Sequence, residues 1–193
     1  MSQQAAPPQR DERVERVEPD LVSSTVARRH GRLTTRPSAG VHNSLWHWPA
    51  TVPRHRVWRN YFLMRLARGA PSLRLKNWLY RRMGMKVGSH VSVGLEATMD
   101  IFFPELITIE DEAIIGYGTT VLAHEYMERE YRTGPVVIGR GAVVGARSLI
   151  LPGVTVAPGT VVSAMSLVNS DVEGFVGGVP AKPLKPRETK PAP

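Results

Sequence analysis

The stretch from Ile138 to Glu173 reads IGRGAVVGARSLILPGVTVAPGTVVSAMSLVNSDVE, and it repeats every six residues. Each unit begins with Val or Ile, and its second and fifth positions are mostly small residues. A strand repeats about every 2 residues and a helix about every 3.6, so neither element alone explains the pattern. Six residues fit one short strand and one tight corner, with the branched residue pointing into a core. Three such units close one triangular coil.

The same period extends upstream as far as Val87. Together with the quoted stretch it makes eleven units, and an irregular piece, MDIFFPEL, separates the second from the third. A longer interruption of bulky and charged residues follows His124. The count predicts one complete coil before this interruption and two after it. Because coils stack through parallel ladders and none is stable alone, we predict a mainly β protein built as a parallel β-helix.

The composition divides the chain into four segments. Residues 1–50 are basic and proline-rich with little hydrophobic periodicity, which predicts a disordered tail, although SLWHWPATVP can pack two tryptophans on the domain. Residues 51–84 contain two helical stretches, the second closing at Gly84, and we expect them to cap the open end of the coils. Residues 85–181 form the β-helix domain with residues 125–137 as a loop, and residues 182–193 form a C-terminal tail.

The charge of the chain is unevenly distributed. The net charge is +8, and between Leu21 and Leu95 there are fourteen Lys or Arg and no Asp or Glu. Such a run suits a solvated surface, a polyanionic partner, an anionic cofactor or an anionic membrane surface. The N-terminus lacks the apolar core of a secretory signal, and the uncharged stretch from Ser148 to Ser170 contains two Pro-Gly pairs that disfavour a membrane helix. We expect a cytoplasmic protein, with peripheral membrane contact as an option.

Few residues in the repeat region could perform chemistry. The chain has no cysteine, which excludes thiolate zinc sites and a cysteine nucleophile. Histidine is the natural general base near neutral pH, and only His90 and His124 lie among the repeats. His124 stands at the fourth position of its unit, where the chain leaves the repeat. The loop carboxylates of Glu125, Glu128 and Glu130 are candidates to orient it, and Glu125 ranks first.

The repeat resembles that of the hexapeptide-repeat acyltransferases, whose fold is a left-handed parallel β-helix. The ending VGGVPAKPLK is similar to the closing Gly-x-Pro-Ala-Lys of that family. FPELITI and the His-Glu-Tyr before the loop are similar to short members of the maltose and galactoside O-acetyltransferase branch. The resemblance covers roughly Val87 to Lys185. It supplies the left hand of the helix, which the spacing does not, and it implies a site shared between the subunits of a homotrimer.

The resemblance also implies roles for individual residues. His124 is implied as the general base that deprotonates the acceptor. Asp100 is implied as an acceptor-binding residue, and an ordinary turn aspartate explains it equally well. Acetyl-CoA is implied as the donor, with its long arm against Ala146 and Ala164 and its phosphates near Lys182. No metal is required.

We therefore expect a CoA-dependent O-acyltransferase that moves an acetyl group to a hydroxyl of a sugar or glycan. The transfer would be direct, because the chain has neither a cysteine nor a Gly-x-Ser-x-Gly motif. The alternative is a non-catalytic hexapeptide-repeat scaffold. It is favoured by three departures from the family pattern, at Val143, at Ser163 to Ser166 and at Asn169 to Asp171. A carbonic anhydrase on the same coil is disfavoured, because it needs three histidines on neighbouring coils and the repeat region has only two. We expect a small-molecule or glycan acceptor and no nucleic-acid partner.

Overall fold

A computed structural model of the chain describes residues 29–38 and 40–185. Strand β1, Thr34–Pro37, comes first, and a short 3-10 helix follows at Trp48–Ala50. Helix α1, Arg54–Gly69, and helix α2, Leu73–Met83, follow next. The Ser72 hydroxyl accepts a hydrogen bond from the Leu75 N–H at 3.3 Å and caps the start of α2. Gly84 ends α2 in the left-handed conformation, with a φ of 111°.

The rest of the described chain winds into four complete coils of three short strands each. Coil 1 contains β2 Lys86–Val87, β3 Ser92–Val93 and β4 Thr98–Met99; coil 2 contains β5 Ile107–Ile109, β6 Ile114–Ile115 and β7 Thr120–Val121. A hairpin of β8 His124–Tyr126 and β9 Glu130–Thr133 interrupts the winding. Coil 3 contains β10 Val136–Ile138, β11 Val143–Val144 and β12 Leu149–Ile150; coil 4 contains β13 Thr155–Val156, β14 Val161–Val162 and β15 Leu167–Val168. The described chain closes with β16 Phe175–Gly177 and β17 Lys182–Pro183.

Equivalent strands of successive coils pair in parallel and form three flat faces. Face 1 stacks β2, β5, β10 and β13; face 2 stacks β3, β6, β11, β14 and β16; face 3 stacks β4, β7, β12 and β15. The first residue of ten of the eleven six-residue units is at most 1% exposed, Val87 being the exception, so the branched side chains fill the interior. The structure confirms the parallel β-helix predicted from the repeat.

The corners explain why the period is six. At nine corners the fourth residue of the unit has a positive φ, which turns the backbone sharply between two faces. Glycine adopts this conformation without strain, and other residues adopt it at a modest energetic cost. His124 occupies the same position of its unit but is not in this conformation, because there the chain continues as β8. The nine corner residues are His90, Glu96, Glu112, Gly118, Gly141, Arg147, Gly153, Gly159 and Met165.

Helix α2 covers the open edge of coil 1 with polar side chains. The buried Lys76 ammonium donates to the Gly94 carbonyl at 2.6 Å, and the Asn77 amide donates to the Val91 carbonyl at 2.8 Å. Arg81 donates to the Val87 carbonyl at 2.9 Å. A parallel ladder ends in unpaired carbonyls, and these donors satisfy several of them. Burial is the main reason that the pKa of Lys76 is lowered, and the charge of Glu96 partly offsets it.

Three details of the predicted organisation are wrong. Two complete coils, not one, precede the long interruption, because β4 supplies the third side of coil 1 before the irregular piece begins. The predicted loop 125–137 is largely a β hairpin. Within the predicted disordered tail, β1 pairs with β9, and Arg29 and Ser44 are buried. This order comes from backbone pairing and polar contacts, which leave no hydrophobic period in the sequence. The predicted tail segments 1–28 and 186–193 lie outside the described residues.

The close stacking of coils predicts a sharp difference between two glycines. A Cβ on Gly145 would lie 2.4 Å from the backbone nitrogen of Ala164 in the next coil, whereas a Cβ on Gly141 would meet nothing within 4 Å. Gly145→Ala should therefore lower the free energy of unfolding by about 1–3 kcal/mol, since backbone cannot move aside. Gly141→Asn, at a left-handed corner that asparagine tolerates, should lower it by less than about 1 kcal/mol. Urea denaturation at one fixed protein concentration measures both, and equal losses would contradict the stacking argument.

Candidate functional site

The candidate site lies at the corner between face 3 and face 1. Two excursions leave the coils there, one after β4 and one after β7. Because Met99 pairs with Val121 in the parallel ladder, the residues that follow them, Asp100 and Leu122, are also neighbours. Coil stacking therefore brings Asp100 against the backbone that leads into His124, 24 residues further along the chain.

The Asp100 carboxylate joins the two excursions through four hydrogen bonds. Oδ1 accepts from the backbone N–H groups of Phe102 at 2.8 Å and Phe103 at 3.0 Å, within its own excursion. Oδ2 accepts from the N–H of Ala123 at 2.8 Å and from Nδ1 of His124. The side chain is fully enclosed. Burial alone would raise the pKa of Asp100, but the bond from His124 and the backbone N–H groups outweigh burial, and the pKa lies below its ordinary value.

The hydrogen bond to Asp100 determines which ring nitrogen of His124 carries the proton. An ionised carboxylate only accepts hydrogen bonds, so the proton on Nδ1 points to Asp100, and in the neutral ring Nε2 carries the lone pair. Nε2 forms no hydrogen bond within the described residues, and the side chain is 15% exposed. The ring contacts Phe102, Phe103 and Tyr126, with centroids 5.0, 5.9 and 4.9 Å away. The imidazole is thus fixed in orientation, with its basic nitrogen unpaired.

Residues 40–53 contact two of the aromatic side chains that surround His124, Phe102 and Tyr126. The Thr51 hydroxyl lies 2.8 Å from the Tyr126 hydroxyl, and Trp48 contacts Phe102 at 5.7 Å between ring centroids. Burial raises the pKa of Tyr126, partly offset by the bond to Thr51, so the phenol is protonated at neutral pH. Sequence reasoning missed Thr51. The stretch SLWHWPATVP suggested that its tryptophans pack on the domain, and Trp48 does so, whereas Trp46 is 71% exposed.

The structure corrects two predicted roles. Asp100 was expected to bind the acceptor, but its enclosed carboxylate is fully used by His124 and the backbone, so it orients the imidazole. Glu125 was expected to orient His124, but it forms an ion pair with the buried Arg29, whose Nε also donates to the Pro152 carbonyl at 2.7 Å. Adjacent residues of a strand point to opposite sides, which is why Glu125 does not reach the ring of its neighbour.

The other two loop glutamates do not contact His124 either. Glu128 is 83% exposed and lies 3.7 Å from Arg129. Glu130 accepts from Arg132 Nε at 2.9 Å within β9. No group of three or more histidine, aspartate or glutamate side chains within residues 29–38 and 40–185 is arranged to hold a metal ion.

The residues expected to bind the donor lie along another edge, between face 2 and face 3. Ala146 follows β11 and Ala164 follows β14, and the Met165 N–H donates to the Ala146 carbonyl at 2.8 Å, so the two alanines stack. Lys182 is exposed in β17 and pairs with Gly177 of β16, at the end of face 2. Face 3 separates this edge from the His124 corner by roughly 16 Å, for five residues at about 3.3 Å each. Within one chain, His124 therefore lies far from Ala146 and Ala164.

Comparison with known proteins gives consistent results. The chain is 46% identical over 160 residues to the Bacillus subtilis (strain 168) protein named "Putative acetyltransferase YvoF", covering 81% of this chain and 93% of that one. The hexapeptide-repeat acetyltransferase VCA0836 of Vibrio cholerae, solved with acetyl coenzyme A, matches with a TM-score of 0.57 at 22% identity, over 71% of this chain and 90% of that one. A galactoside acetyltransferase solved with coenzyme A matches with a TM-score of 0.55 at 21% identity, over 68% and 80%. No family model matches.

These structural matches confirm the left-handed parallel β-helix that the resemblance implied. The hexapeptide repeat of this chain forms the stacked strands. The two excursions at the His124 corner interrupt that repeat.

The Asp100 carboxylate predicts a specific loss of acid stability. Because its pKa is lowered in the folded chain, the ionised form contributes stability above the ordinary value of about 3.9, and this contribution disappears as the pH falls through the folded value. Asp100→Asn should therefore lower the free energy of unfolding by about 1–3 kcal/mol near neutral pH, and the difference from wild type should shrink below about pH 4. Melting temperatures of both proteins between these limits measure the effect.

Glu112→Gln is the matched control for this measurement, because the Glu112 side chain is 62% exposed and, among the described residues, pairs only with the exposed His90. Its melting temperature should follow that of wild type at each pH. A constant difference between Asp100→Asn and wild type at all pH values would show that the carboxylate charge is not responsible.

Proposed function

Because the chain belongs to the hexapeptide-repeat acetyltransferases, we propose that it transfers an acetyl group from acetyl-CoA to a hydroxyl of a sugar or glycan, with His124 as the general base. The observation that carries this proposal is the hydrogen bond between Asp100 and His124 Nδ1, which leaves Nε2 unpaired and fixed in direction. This intact pair also favours an enzyme over a scaffold that has lost its chemistry.

The pair supports a direct transfer in one ternary complex. His124 Nε2 takes the proton of the acceptor hydroxyl while the hydroxyl oxygen attacks the thioester carbonyl carbon. When the tetrahedral intermediate breaks its carbon–sulfur bond, the imidazolium returns that proton to the departing thiolate, so His124 ends as it began. The buried Asp100 carboxylate stabilises the imidazolium and keeps the ring in the productive tautomer. The sequence supplies no cysteine for a covalent acetyl-enzyme.

The edge between face 2 and face 3 suits the donor. The stacked residues Ala146 and Ala164 are accessible and small, so a long thin arm can approach the backbone closely there. Lys182, exposed at the end of the same face, can meet the phosphates of the nucleotide. Acetyl-CoA bound along this edge would present its thioester far from the His124 of the same chain.

A homotrimer resolves that separation. From β6 to β16 the outward residues of face 2 stack as an apolar column, and Ile114, Val161 and Phe175 in it are 46%, 39% and 38% exposed. Contiguous exposed apolar residues of this kind are typical of subunit interfaces. In a cyclic trimer, a neighbouring subunit docked on face 2 would bring its own His124 corner to the alanine edge, and each site would use two chains.

The acceptor would bind beside the aromatic group. A cleft of about 570 Å³ is lined by Asn43, Leu45, Trp46, Trp48 and Phe102, and Phe102 contacts both Trp48 and the His124 ring. Aromatic faces pack against the C–H faces of sugar rings, and an amide can bond to hydroxyls, so the lining suits a saccharide. A larger cleft of about 640 Å³ includes residues of β2 and β5 on face 1 and contains none of the residues of the proposed site.

A cytoplasmic location, where acetyl-CoA is available, is part of this proposal.

The role of His124 predicts a comparison of two histidines. His124→Ala should lower kcat at least about a hundredfold, because the general base is lost, and the thermal stabilisation by CoA should be unchanged. His90→Ala removes a histidine from the equivalent position of another unit, where the side chain is 78% exposed, and should leave kcat unchanged. Release of free CoA thiol with a saccharide acceptor measures the rates. Near wild-type turnover by His124→Ala would rule out the general-base assignment.

Sharing of each site between two chains predicts complementation. Ala164→Trp should raise the KM for acetyl-CoA by filling the donor edge, and His124→Ala should remove the base. At low acetyl-CoA each variant alone should have little activity. When their subunits are mixed in equal amounts and reassembled, up to about one quarter of wild-type activity should return, because about one quarter of the sites combine an intact donor edge from one chain with an intact His124 from its neighbour. A mixture no more active than its two components would show that each site lies within one chain.

A further inference from the structure

Helix α1 exposes a continuous group of large apolar side chains on its outward face. Trp58, Phe62 and Leu66 are 58%, 63% and 59% exposed, and Tyr61 is 42% exposed. The rings of Trp58, Tyr61 and Phe62 contact one another, with centroids 5.5–6.1 Å apart. The opposite side of the helix carries the buried residues, including Val57 and Met64, so the exposed group is not needed for the core. A patch of this kind on the surface of a folded chain marks an interaction site.

Arginines without acidic partners surround this patch. Arg56 and Arg68 of α1 form ion pairs with Glu105 and Glu96, and these pairs use the nearby carboxylates. Among the residues that the structure describes, no ion pair is formed by five other exposed arginines of the two helices, although Arg59 donates to the amide oxygen of Asn60 at 3.0 Å. They are Arg54, Arg59 and Arg65 of α1 and Arg74 and Arg82 of α2.

Helix α2 also exposes an aromatic side chain beside an arginine. Trp78 is 49% exposed, and the Arg82 guanidinium lies over its ring, 5.0 Å from the centroid. Tryptophan and tyrosine with neighbouring arginines are the combination that proteins place at the boundary between lipid headgroups and acyl chains. In the described part of the chain, neither helix combines the length and apolarity needed to cross a bilayer. Any lipid contact of these helices would therefore run along their surface.

We propose that the outward face of α1, together with Trp78 and Arg82 of α2, docks on the surface of an anionic phospholipid bilayer. The rings enter the headgroup boundary, and the arginines that have no acidic partner bind lipid phosphates. A second copy of this chain is a poorer occupant, because a two-fold contact through this face would set its arginines against one another. A purely polar polyanion would match the arginines but leave the four apolar side chains of α1 in water.

The docking surface is tied directly to the catalytic corner. The Asn60 amide of α1 donates to the Ile101 carbonyl at 2.9 Å, one residue after Asp100, and Arg56 pairs with Glu105 of the same excursion. Helix α1 therefore holds the excursion that orients His124 on one side and presents the aromatic patch on the other. Docking would keep the site within about one helix diameter, or 10 Å, of the headgroups.

Vesicle flotation of the full chain tests the proposal. Wild type should float with vesicles of phosphatidylcholine containing about one third phosphatidylglycerol and should bind pure phosphatidylcholine at least about tenfold more weakly. Trp58→Ser with Phe62→Ser should weaken binding to the anionic vesicles at least about tenfold, because the apolar insertion is lost. Arg59→Glu with Arg65→Glu should weaken it by a similar or larger factor.

Arg129→Glu with Arg140→Glu is the control for net charge, since it makes the same change at exposed arginines of the β-helix domain, which unlike the patch arginines lie beside Glu128 and Asp111. It should float like wild type, and each variant should remain folded at the temperature of the flotation, as its melting curve shows. The proposal is overturned if wild type does not float with anionic vesicles, or if the serine variant floats as well as wild type. It is equally overturned if the serine substitutions lower the oligomeric mass in solution, which would identify the patch as a subunit interface.

Discussion

The parallel stacking of coils is the constraint on which the rest of this structure depends. Each strand contributes only two or three residues, so no coil is stable unless its neighbours pair with it in register. Register requires every regular unit to have six residues, a small or left-handed corner and a branched residue inside. Residues that do not fit this period can be accommodated only where a corner opens outward. Both excursions in this chain use the same corner, and this coincidence creates the site.

Asp100 shows how stacking converts two insertions into one functional unit. Its carboxylate accepts two backbone bonds from its own excursion and one backbone bond, plus the imidazole, from the next. An enclosed carboxylate without such donors would be protonated, because burial disfavours its charge. Here the donors keep it ionised, and the ionised carboxylate in turn sets the tautomer of His124. The order of this corner and the orientation of the imidazole thus rest on the same hydrogen bonds.

The parts outside the coils stabilise this corner and the open edge of coil 1. Lys76 and Asn77 donate to carbonyls that the first coil leaves unpaired, and Asn60 donates to the excursion that contains Asp100. The chain before α1 completes the enclosure, with β1 paired to the hairpin and Thr51 bonded to Tyr126. These contacts explain why a basic chain buries several of its polar side chains against backbone carbonyls. The donors compensate groups that would otherwise lose hydrogen bonds to water.

The sequence by itself determined the parallel β-helix, its corners, the two covering helices and the place of the interruption after His124, because each leaves a local signal: a period, a small residue, a cap or a break. It did not identify Asp100 as the partner of His124, and it ranked Glu125 first by adjacency, although alternation along a strand turns adjacent side chains apart. Nor did it show that Arg29 and Thr51 support the hairpin, since their contacts span 96 and 75 residues. Those pairings were decided only by the tertiary structure, because coil stacking, and not distance along the chain, sets which side chains meet.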